Sequence, residues 1–140
     1  MRFLNIATAL MLATTVVADF HIFNCWHSYG LGSQTGLESI AVAVPSNQFN
    51  CNGIRGNPIL KDVQRFVEKG ISPFYDPGMC GVGRMDFYSN GNGFDIYNHG
   101  GNGQTIGNCV KGGGGKMTCQ AAFDEVVCTD DWVCLTNVCS

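Results

Sequence analysis

Eight cysteines constrain this chain more than any other feature, and all of them follow its apolar N-terminal segment. Each cross-link between two cysteines closes a loop of the unfolded chain and so removes conformational freedom from it. An even number of cysteines in a small secreted protein is typical of a disulfide framework. A thiolate zinc site would need close pairs of the form C-x-x-C, and the sequence has none. We therefore predict disulfides, and neither a metal nor another cofactor, for Cys25, Cys51, Cys80, Cys109, Cys119, Cys128, Cys134 and Cys139.

The first eighteen residues have the pattern of a secretory signal peptide. Arg2 precedes an apolar run, and small residues end the segment at Ala18. The run is shorter than the ~20 residues that span a bilayer, so a membrane anchor is the weaker interpretation. Cleavage after Ala18 would make Asp19 the first residue of the mature chain. We expect a secreted, extracellular protein with a single disulfide-rich domain over residues 19–140 and no membrane span.

The charges of the mature chain are few and scattered. Without Arg2, seven basic side chains remain against eleven acidic ones, and the basic residues form no cluster. Binding to nucleic acid or to an anionic membrane surface requires a concentrated positive charge. We therefore expect no nucleic-acid partner.

Alternating apolar and polar residues predict a chain made mainly of β-strands. The alternation is clearest over residues 21–27 and 37–44, which a glycine-containing loop separates. Further short strands are predicted at residues 82–88, 94–97, 105–106, 116–120, 123–128 and 132–138. Many short strands with turn residues between them are typical of a closed or sandwiched antiparallel sheet. We predict a disulfide-stabilised antiparallel β-barrel or sandwich.

One segment, residues 57–70, has the pattern of an amphipathic helix instead. Asn57 can cap its first turn, Pro58 suits the first helical position, and Gly70 can end it. Apolar residues recur between these points at helical spacing. This helix would pack on the sheet, which leaves an α+β sandwich as an alternative fold.

Glycine is the commonest residue between positions 91 and 119, which raises the question of a ligand-binding loop. A phosphate loop would need glycine at Val110 and serine or threonine at Met117. The dinucleotide motif G-x-G-x-x-G is also absent. Residues 90–97 follow much of a calcium-binding repeat, but the copy ten residues later lacks the aspartate. We instead predict tight turns at the Asn-Gly pairs 90–91, 92–93 and 102–103, because both residue types tolerate positive φ.

Residues suited to acid–base catalysis are present, but no catalytic motif joins them. His27, His99, Glu38 and Arg84 would be the working groups of a small secreted ribonuclease-like enzyme or toxin, provided that the fold brings them together. Their spacing does not indicate that it does. This enzyme is kept as an alternative function.

Aromatic residues near the first cysteine are candidates for ligand binding. Trp26, Tyr29 and Trp132 have the flat ring surface that stacks on sugars, although aromatic residues beside cysteines are more often part of the core. We take Trp26, His27 and Tyr29 as the candidate binding surface. A carbohydrate-binding, lectin-like module is the second alternative function.

Three short blocks of sequence resemble those of a known family of secreted fungal proteins. Residues 109–124 contain a cysteine, a glycine-rich loop, a Cys-Gln pair and then an aspartate. Upstream lie CG at 80–81 with MDF at 85–87, and before them FNC at 49–51. In content and in order, these blocks resemble the Alternaria major allergen family.

The resemblance implies a β-barrel that acts outside the cell as an effector, elicitor or allergen, by binding a host protein or a small ligand rather than by catalysis. It implies the disulfides Cys51–Cys80 and Cys109–Cys119. The other four cysteines would then form two more disulfides, with three alternative connectivities among Cys25, Cys128, Cys134 and Cys139. No catalytic residue is carried over, and a homodimer is left open. A non-enzymatic, secreted, cysteine-rich protein is therefore the leading interpretation.

Overall fold

The computed structural model describes residues 19–31, 34–61, 63 and 73–139. The predicted leader, residues 1–18, lies outside these ranges. Within them the chain is mainly β-structure, as the alternation predicts. The helical elements there are a short 3-10 turn at Ser46–Gln48 and the helix α1 at Cys51–Gly56. The strands are β1 (Phe20–Leu31), β2 (Gln34–Pro45), β3 (Phe74–Asp76), β4 (Met85–Ser89), β5 (Gly93–Asn98), β6 (Thr105–Lys111), β7 (Lys116–Ala121) and β8 (Asp124–Leu135).

The strands form one antiparallel sheet that closes almost completely into a barrel. Its order is β2-β1-β8-β6-β5-β4-β3, and β7 pairs with β8 beside β6. The two ends of the sheet are joined by a short extended segment. In this segment Ile59 pairs with Val42 of β2, and Lys61 pairs with Tyr75 of β3. The predicted antiparallel β-barrel is therefore confirmed.

A bulge in β8 turns that strand from one hydrophobic core to another. Ile22 of β1 pairs with Trp132 and Phe23 pairs with Asp130, so Asp131 has no partner on β1. One extra residue reverses the alternation, because each face of a strand takes every second side chain. The strands predicted at 123–128 and 132–138 are thus a single strand that faces two cores.

The first core fills the barrel and the second lies outside it, beneath α1 and β7. Aromatic rings dominate the interior: Phe74 stacks on Phe87 at 4.7 Å between ring centroids, and Phe94 meets Phe74 edge-on at 4.9 Å. The buried residues of the interior core are Phe20, Ile22, Ala41, Ala43, Leu60, Phe74, Met79, Met85, Phe87, Phe94, Ile96, Cys109 and Cys134. Those of the outer core are Phe23, Cys25, Val42, Val44, Ile54, Cys119, Val126 and Cys128.

All eight cysteines are cross-linked, but not in the pairs that the family resemblance implied. The disulfides are Cys25–Cys128, Cys51–Cys119, Cys80–Cys139 and Cys109–Cys134. The implied pairs Cys51–Cys80 and Cys109–Cys119 are therefore wrong. The predicted framework itself is confirmed, and no cysteine is free.

Strand register explains two of the four disulfides. Cys25 lies directly opposite Cys128 between β1 and β8, and Cys109 lies directly opposite Cys134 between β6 and β8. Side chains of directly opposed residues in an antiparallel pair are close enough to react. Cys119, by contrast, lies in the outer core against α1, which begins at Cys51.

The helix predicted over 57–70 does not begin at Asn57. Residues 51–56 form α1, and the Asn50 side chain caps it by accepting a hydrogen bond from Gly53 N at 3.1 Å. Asn57 ends this helix in an extended conformation, which the following proline favours. Residues 59–61 then bridge β2 and β3, with Leu60 buried in the interior core. The other residues of the predicted helix, 62 and 64–70, lie outside the described ranges.

The glycine-rich run connects strands. In the β4–β5 hairpin the Asn90 side chain accepts hydrogen bonds from Asn92 N and Gly93 N, and Gly91 has a φ of 91°. Gly103, with a φ of 80°, lies in the β5–β6 connection. The turn predicted at 90–91 is therefore confirmed, while Gly93 already belongs to β5. The β5–β6 connection turns at His99 and Gly100 instead of at 102–103, and Gly101 N donates to Asn98 O at 3.0 Å across this turn.

Asp19, the residue predicted to begin the mature chain, anchors the C-terminal segment to one end of the barrel. Its carboxylate accepts hydrogen bonds from the Thr136 hydroxyl and from the backbone N–H groups of Val138 and Cys139. Cys139 is itself bonded to Cys80. The far ends of β1 and β2 lie at the opposite end of the barrel. In the described part of the chain, no helix is long and apolar enough to cross a membrane.

Candidate functional site

An open cleft lies at the end of the barrel remote from Asp19, where the β1–β2 hairpin meets the turn between β7 and β8. Gly30 N donates a hydrogen bond to Phe123 O at 3.2 Å and so joins the two connections. The cleft has a volume of about 410 Å³ and is lined by Ser28, Tyr29, Gly30, Gly36 and residues 120–125. We call it the tip cleft. Its size is within the range of small-ligand sites, about 300–1,000 Å³.

The tip cleft wraps over the end of the sheet. Neighbouring residues of a strand face opposite ways. Ser28 pairs with Glu125 on one face of the sheet, and Tyr29 pairs with Asp124 on the other. All of these residues line the cleft. A bound molecule would therefore contact side chains from both faces.

Two aromatic residues of the tip cleft are largely open to solvent. Tyr29 is 47% exposed and Phe123 is 60% exposed. The Tyr29 ring lies against the backbone of Gly36, its partner on β2, where a Cβ atom would come within 2.3 Å of the ring. The ring can occupy this position because residue 36 has no side chain. Large exposed rings beside a cleft are characteristic of recognition surfaces.

The polar residues of the cleft hold one another in place. Gln120 Nε2 donates a hydrogen bond to Glu125 Oε2 at 2.7 Å, and the Ser28 hydroxyl donates to Glu125 O at 3.3 Å. The side-chain oxygen of Gln120 and the second carboxylate oxygen of Glu125 can each accept further hydrogen bonds. The cleft therefore offers oriented acceptors and a hydroxyl beside exposed rings.

His27 lies next to the tip cleft between two carboxylates. Its Nδ1 atom is 2.8 Å from Glu38 Oε1 on β2, and its Nε2 atom is 2.9 Å from Asp124 Oδ2 on β8. Its ring is 5.2 Å from that of Tyr29, measured between centroids. Because both contacts require an N–H donor, they favour the doubly protonated, positively charged ring. Hydrogen bonds to Asp124 and Glu38 accordingly raise the pKa of His27.

Arg55 of α1 completes this network. Its guanidinium lies 2.8 Å from Asp124 Oδ1 and donates to Cys119 O at 2.9 Å. Hydrogen bonds from Arg55 and from His27 lower the pKa of Asp124. The network joins β1, β2, β8 and α1, and we infer that it fixes the Tyr29 side of the cleft.

The charge on His27 makes the stability of the tip dependent on pH. Because its folded-state pKa is above the ordinary value of 6.5, His27 contributes stability that is complete below that pH and lost as pH rises through the folded-state pKa. We expect the difference in unfolding midpoint between the wild type and His27→Gln to be largest in weakly acidic solution and to shrink in alkaline solution. Thermal unfolding between about pH 5 and pH 9 measures it.

Comparing the two proteins at each pH removes the effects that they share. One shared effect is the ionisation of Asp76, which is fully buried. Burial raises the pKa of Asp76, and the hydrogen bond from Gly78 N opposes this rise only in part. Its ionisation also destabilises the fold as pH rises, but equally in both proteins. A midpoint difference that stays constant or grows with pH would contradict the role given to His27.

The structure separates the residues that were considered as a ribonuclease-like set. His27 and Glu38 meet near the tip, whereas His99 and Arg84 meet on Asp86. His99 Nδ1 lies 2.7 Å from Asp86 Oδ2, and Arg84 Nε donates to Asp86 Oδ1 at 2.7 Å. Burial acts to raise the pKa of Asp86, but these hydrogen bonds outweigh it and lower the pKa.

The candidate binding surface predicted from sequence is divided between two faces of β1. His27 and Tyr29 lie together on the face next to α1. Trp26, the residue before His27, points to the other face of β1. It is 55% exposed there and does not line the tip cleft. Trp132 lies partly buried against the interior core, which is the more common position for aromatic residues beside cysteines.

Phe123, Asp124 and Arg55 were not identified from sequence. Among the described residues, no group of three or more His, Cys, Asp and Glu side chains is arranged to hold a metal ion. Comparisons with protein-family models, with curated proteins and with solved structures each find no match to this chain. The function is therefore inferred from the geometry of its own residues.

Proposed function

We propose that this protein acts outside the cell as a binding protein, and that the tip cleft is its binding site. The observation that carries the proposal is the open cleft of about 410 Å³ with the exposed rings of Tyr29 and Phe123. Secretion is supported by the signal-peptide pattern and by four disulfides, which persist in oxidising compartments.

The chemistry of the histidines supports binding rather than acid–base catalysis. A general base needs a ring nitrogen that is free to take a proton from the substrate. Both nitrogens of His27 contact carboxylates, and the His99–Asp86–Arg84 group is separate from the pair of His27 and Glu38. His27 acts in the fold as a link between β1, β2 and β8. The partner would be a host extracellular protein or a small ligand.

The proposal does not rest on the resemblance to the allergen family. The disulfide pairs that this resemblance implied differ from those in the structure. A role as an effector or elicitor depends on that resemblance and stays a prediction. Binding at the tip cleft depends only on the residues that form it.

Binding can be mapped by NMR on the secreted, disulfide-bonded protein. The ¹⁵N-labelled chain would be titrated separately with short peptides, small metabolites and oligosaccharides, and perturbed amide signals would be assigned. We expect at least one class of compound to perturb residues 28–30 and 120–125, and to lose this effect in the Tyr29→Ala/Phe123→Ala variant. If no class perturbs the cleft, or if perturbations occur only elsewhere, the proposal is wrong.

A separate assay addresses the enzyme alternative. Pure wild-type protein would be incubated with RNA, beside His27→Gln and His99→Gln variants. We expect no cleavage above the buffer control. Cleavage by the wild type that both variants lack would favour the ribonuclease-like alternative over binding.

A further inference from the structure

We propose that the ligand of the tip cleft is a neutral sugar unit of an extracellular glycan. This inference rests on the proposed function, because it names the class of molecule that the same cleft would bind. It draws on the two aromatic rings, the polar groups that line the same cleft, and the charge of the cleft.

The first argument is the exposure of Tyr29 and Phe123. A pyranose ring has a face of C–H groups that packs on an aromatic ring while its hydroxyl groups stay available for hydrogen bonds. A site with aromatic side chains beside polar groups can therefore make both the ring contact and the hydrogen bonds. The Tyr29 ring is held against Gly36, so it is positioned before a ligand arrives. The backbone of Phe123 is fixed by the hydrogen bond from Gly30 N. Such preorganisation lowers the entropic cost of binding.

The second argument is the set of polar groups. Vicinal sugar hydroxyls are recognised by neighbouring planar groups that accept and donate hydrogen bonds. Gln120 and Glu125 form such a pair, oriented by their mutual hydrogen bond at 2.7 Å. Both residues line the cleft together with Ser28. These polar groups would have no hydrogen-bond partner on a purely hydrophobic ligand, whereas a sugar supplies hydroxyl groups to them.

The third argument is charge. Asp124 is balanced by Arg55 and His27, whereas the hydrogen-bond partner of Glu125 is the neutral amide of Gln120. The cleft therefore carries a residual negative charge from Glu125, which repels an anionic ligand. A neutral sugar is favoured over a uronic acid or a sulfated sugar.

Backbone pairing limits where a peptide could bind at the cleft. An extended peptide commonly binds by adding a strand to a free sheet edge. At the cleft, β1 is paired with β2 and β8, and β8 is paired with β1 and β7. Neither of these two strands has a free edge there. A peptide could add only to the outer edge of β2 or β7, which border them, and the peptide titration tests this outcome.

The test uses the full secreted protein and defined sugars. Short oligomers of glucose, N-acetylglucosamine, mannose, galactose and xylose would be titrated into the labelled protein up to millimolar concentration, with oligogalacturonate as the anionic comparison. We expect at least one neutral series to shift the amide signals of residues 28–30 and 120–125. We expect oligogalacturonate to bind more weakly than that series.

Variants identify the groups that bind. Tyr29→Ala and Phe123→Ala are each expected to raise the Kd by about tenfold, a loss of about 1.4 kcal/mol of binding free energy. Tyr29→Phe keeps the ring and is expected to retain most of the affinity. Trp26→Ala, which removes an exposed ring outside the cleft, is the matched control and should bind like the wild type. Thermal unfolding of every variant shows whether the fold is intact.

The outcomes separate this inference from the proposed function. If none of the neutral sugars perturbs the cleft but peptides or metabolites do, the sugar inference is wrong and the binding function stands. If a sugar binds equally well to the Tyr29→Ala/Phe123→Ala variant, the sugar inference is also wrong. If no compound of any class perturbs the cleft, both fail.

Discussion

Replacing both Cys25 and Cys128 with alanine is expected to lower the free energy of unfolding by about 2–5 kcal/mol. This disulfide joins residues 103 positions apart, so its loss frees a long loop of the unfolded chain. Both cysteines are fully buried in the outer core, and their removal also leaves a void between β1 and β8. Because His27 and Asp124 lie on the same two strands, the tip cleft should loosen as well. Chemical denaturation of the wild type and the variant measures the loss.

The matched control is the paired change of Cys80 and Cys139. Their disulfide closes a shorter loop of 59 positions, and Cys80 is exposed. We expect a smaller loss of stability and an unchanged tip cleft, since this cross-link lies at the opposite end of the barrel. Equal losses in the two variants would show that the burial of Cys25 and Cys128 between β1 and β8 contributes little to the free energy of unfolding.

Changing Phe87 to alanine is expected to lower the free energy of unfolding by about 3–5 kcal/mol. The Phe87 ring is fully buried, stacks on Phe74 at 4.7 Å and meets Phe20 edge-on at 6.3 Å. Its loss would open a cavity in the centre of the barrel, where rings from β1, β3 and β4 meet. Denaturant unfolding, followed by tryptophan fluorescence, reports on this core through Trp132, which packs against it, whereas Trp26 is exposed.

Tyr88 is the control for Phe87. It is the next residue of β4, on the opposite face, and is about half exposed. Its ring touches only Tyr97 among the described aromatic rings, at 5.6 Å between centroids, so Tyr88→Ala should cost no more than about 1.5 kcal/mol. Similar losses for the two variants would mean that the interior core is not packed as described.

The fold class could be predicted because β-alternation and Asn-Gly turns are local signals. Residues 21–27 and 37–44 became β1 and β2, and Asn90-Gly91 became a hairpin turn. The strand β8 could not be seen as one element, because two adjacent aspartates interrupt its alternation and resemble a turn. In the structure Asp130 is buried beside His21, at 3.1 Å from its Nδ1 atom, and Asp131 forms the bulge.

The disulfide partners could not be predicted because they depend on strand register and on how α1 and the C-terminal segment dock on the barrel. Cys109 lies ten positions from Cys119 in sequence, which makes that pair attractive, yet β6 and β7 do not pair with each other in the sheet. Each pairs with a different part of β8. Non-local pairing of this kind is not encoded in any short stretch of sequence.

Part of the candidate site was accessible from sequence and part was not. Strand alternation alone separates Trp26 from His27 and Tyr29. His27 and Tyr29 are two positions apart in β1 and share a face, whereas Trp26 is one position from His27 and faces the other way. Phe123 could have been noticed as a large apolar residue between two predicted strands. Arg55 and Asp124 could not, because Asp124 meets His27 and Arg55 only after α1 and β8 have docked beside β1.

The measurement that tests the account most directly is disulfide mapping of the secreted protein, because the barrel and the tip cleft both depend on the pairing of its cysteines. Digestion without reductant, with cleavage after Trp132 and Leu135, separates the last three cysteines before mass spectrometry. The structure predicts the linked peptides Cys25–Cys128, Cys51–Cys119, Cys80–Cys139 and Cys109–Cys134. Finding Cys51 bonded to Cys80 and Cys109 bonded to Cys119 would contradict the strand register described here, and with it the position of the cleft.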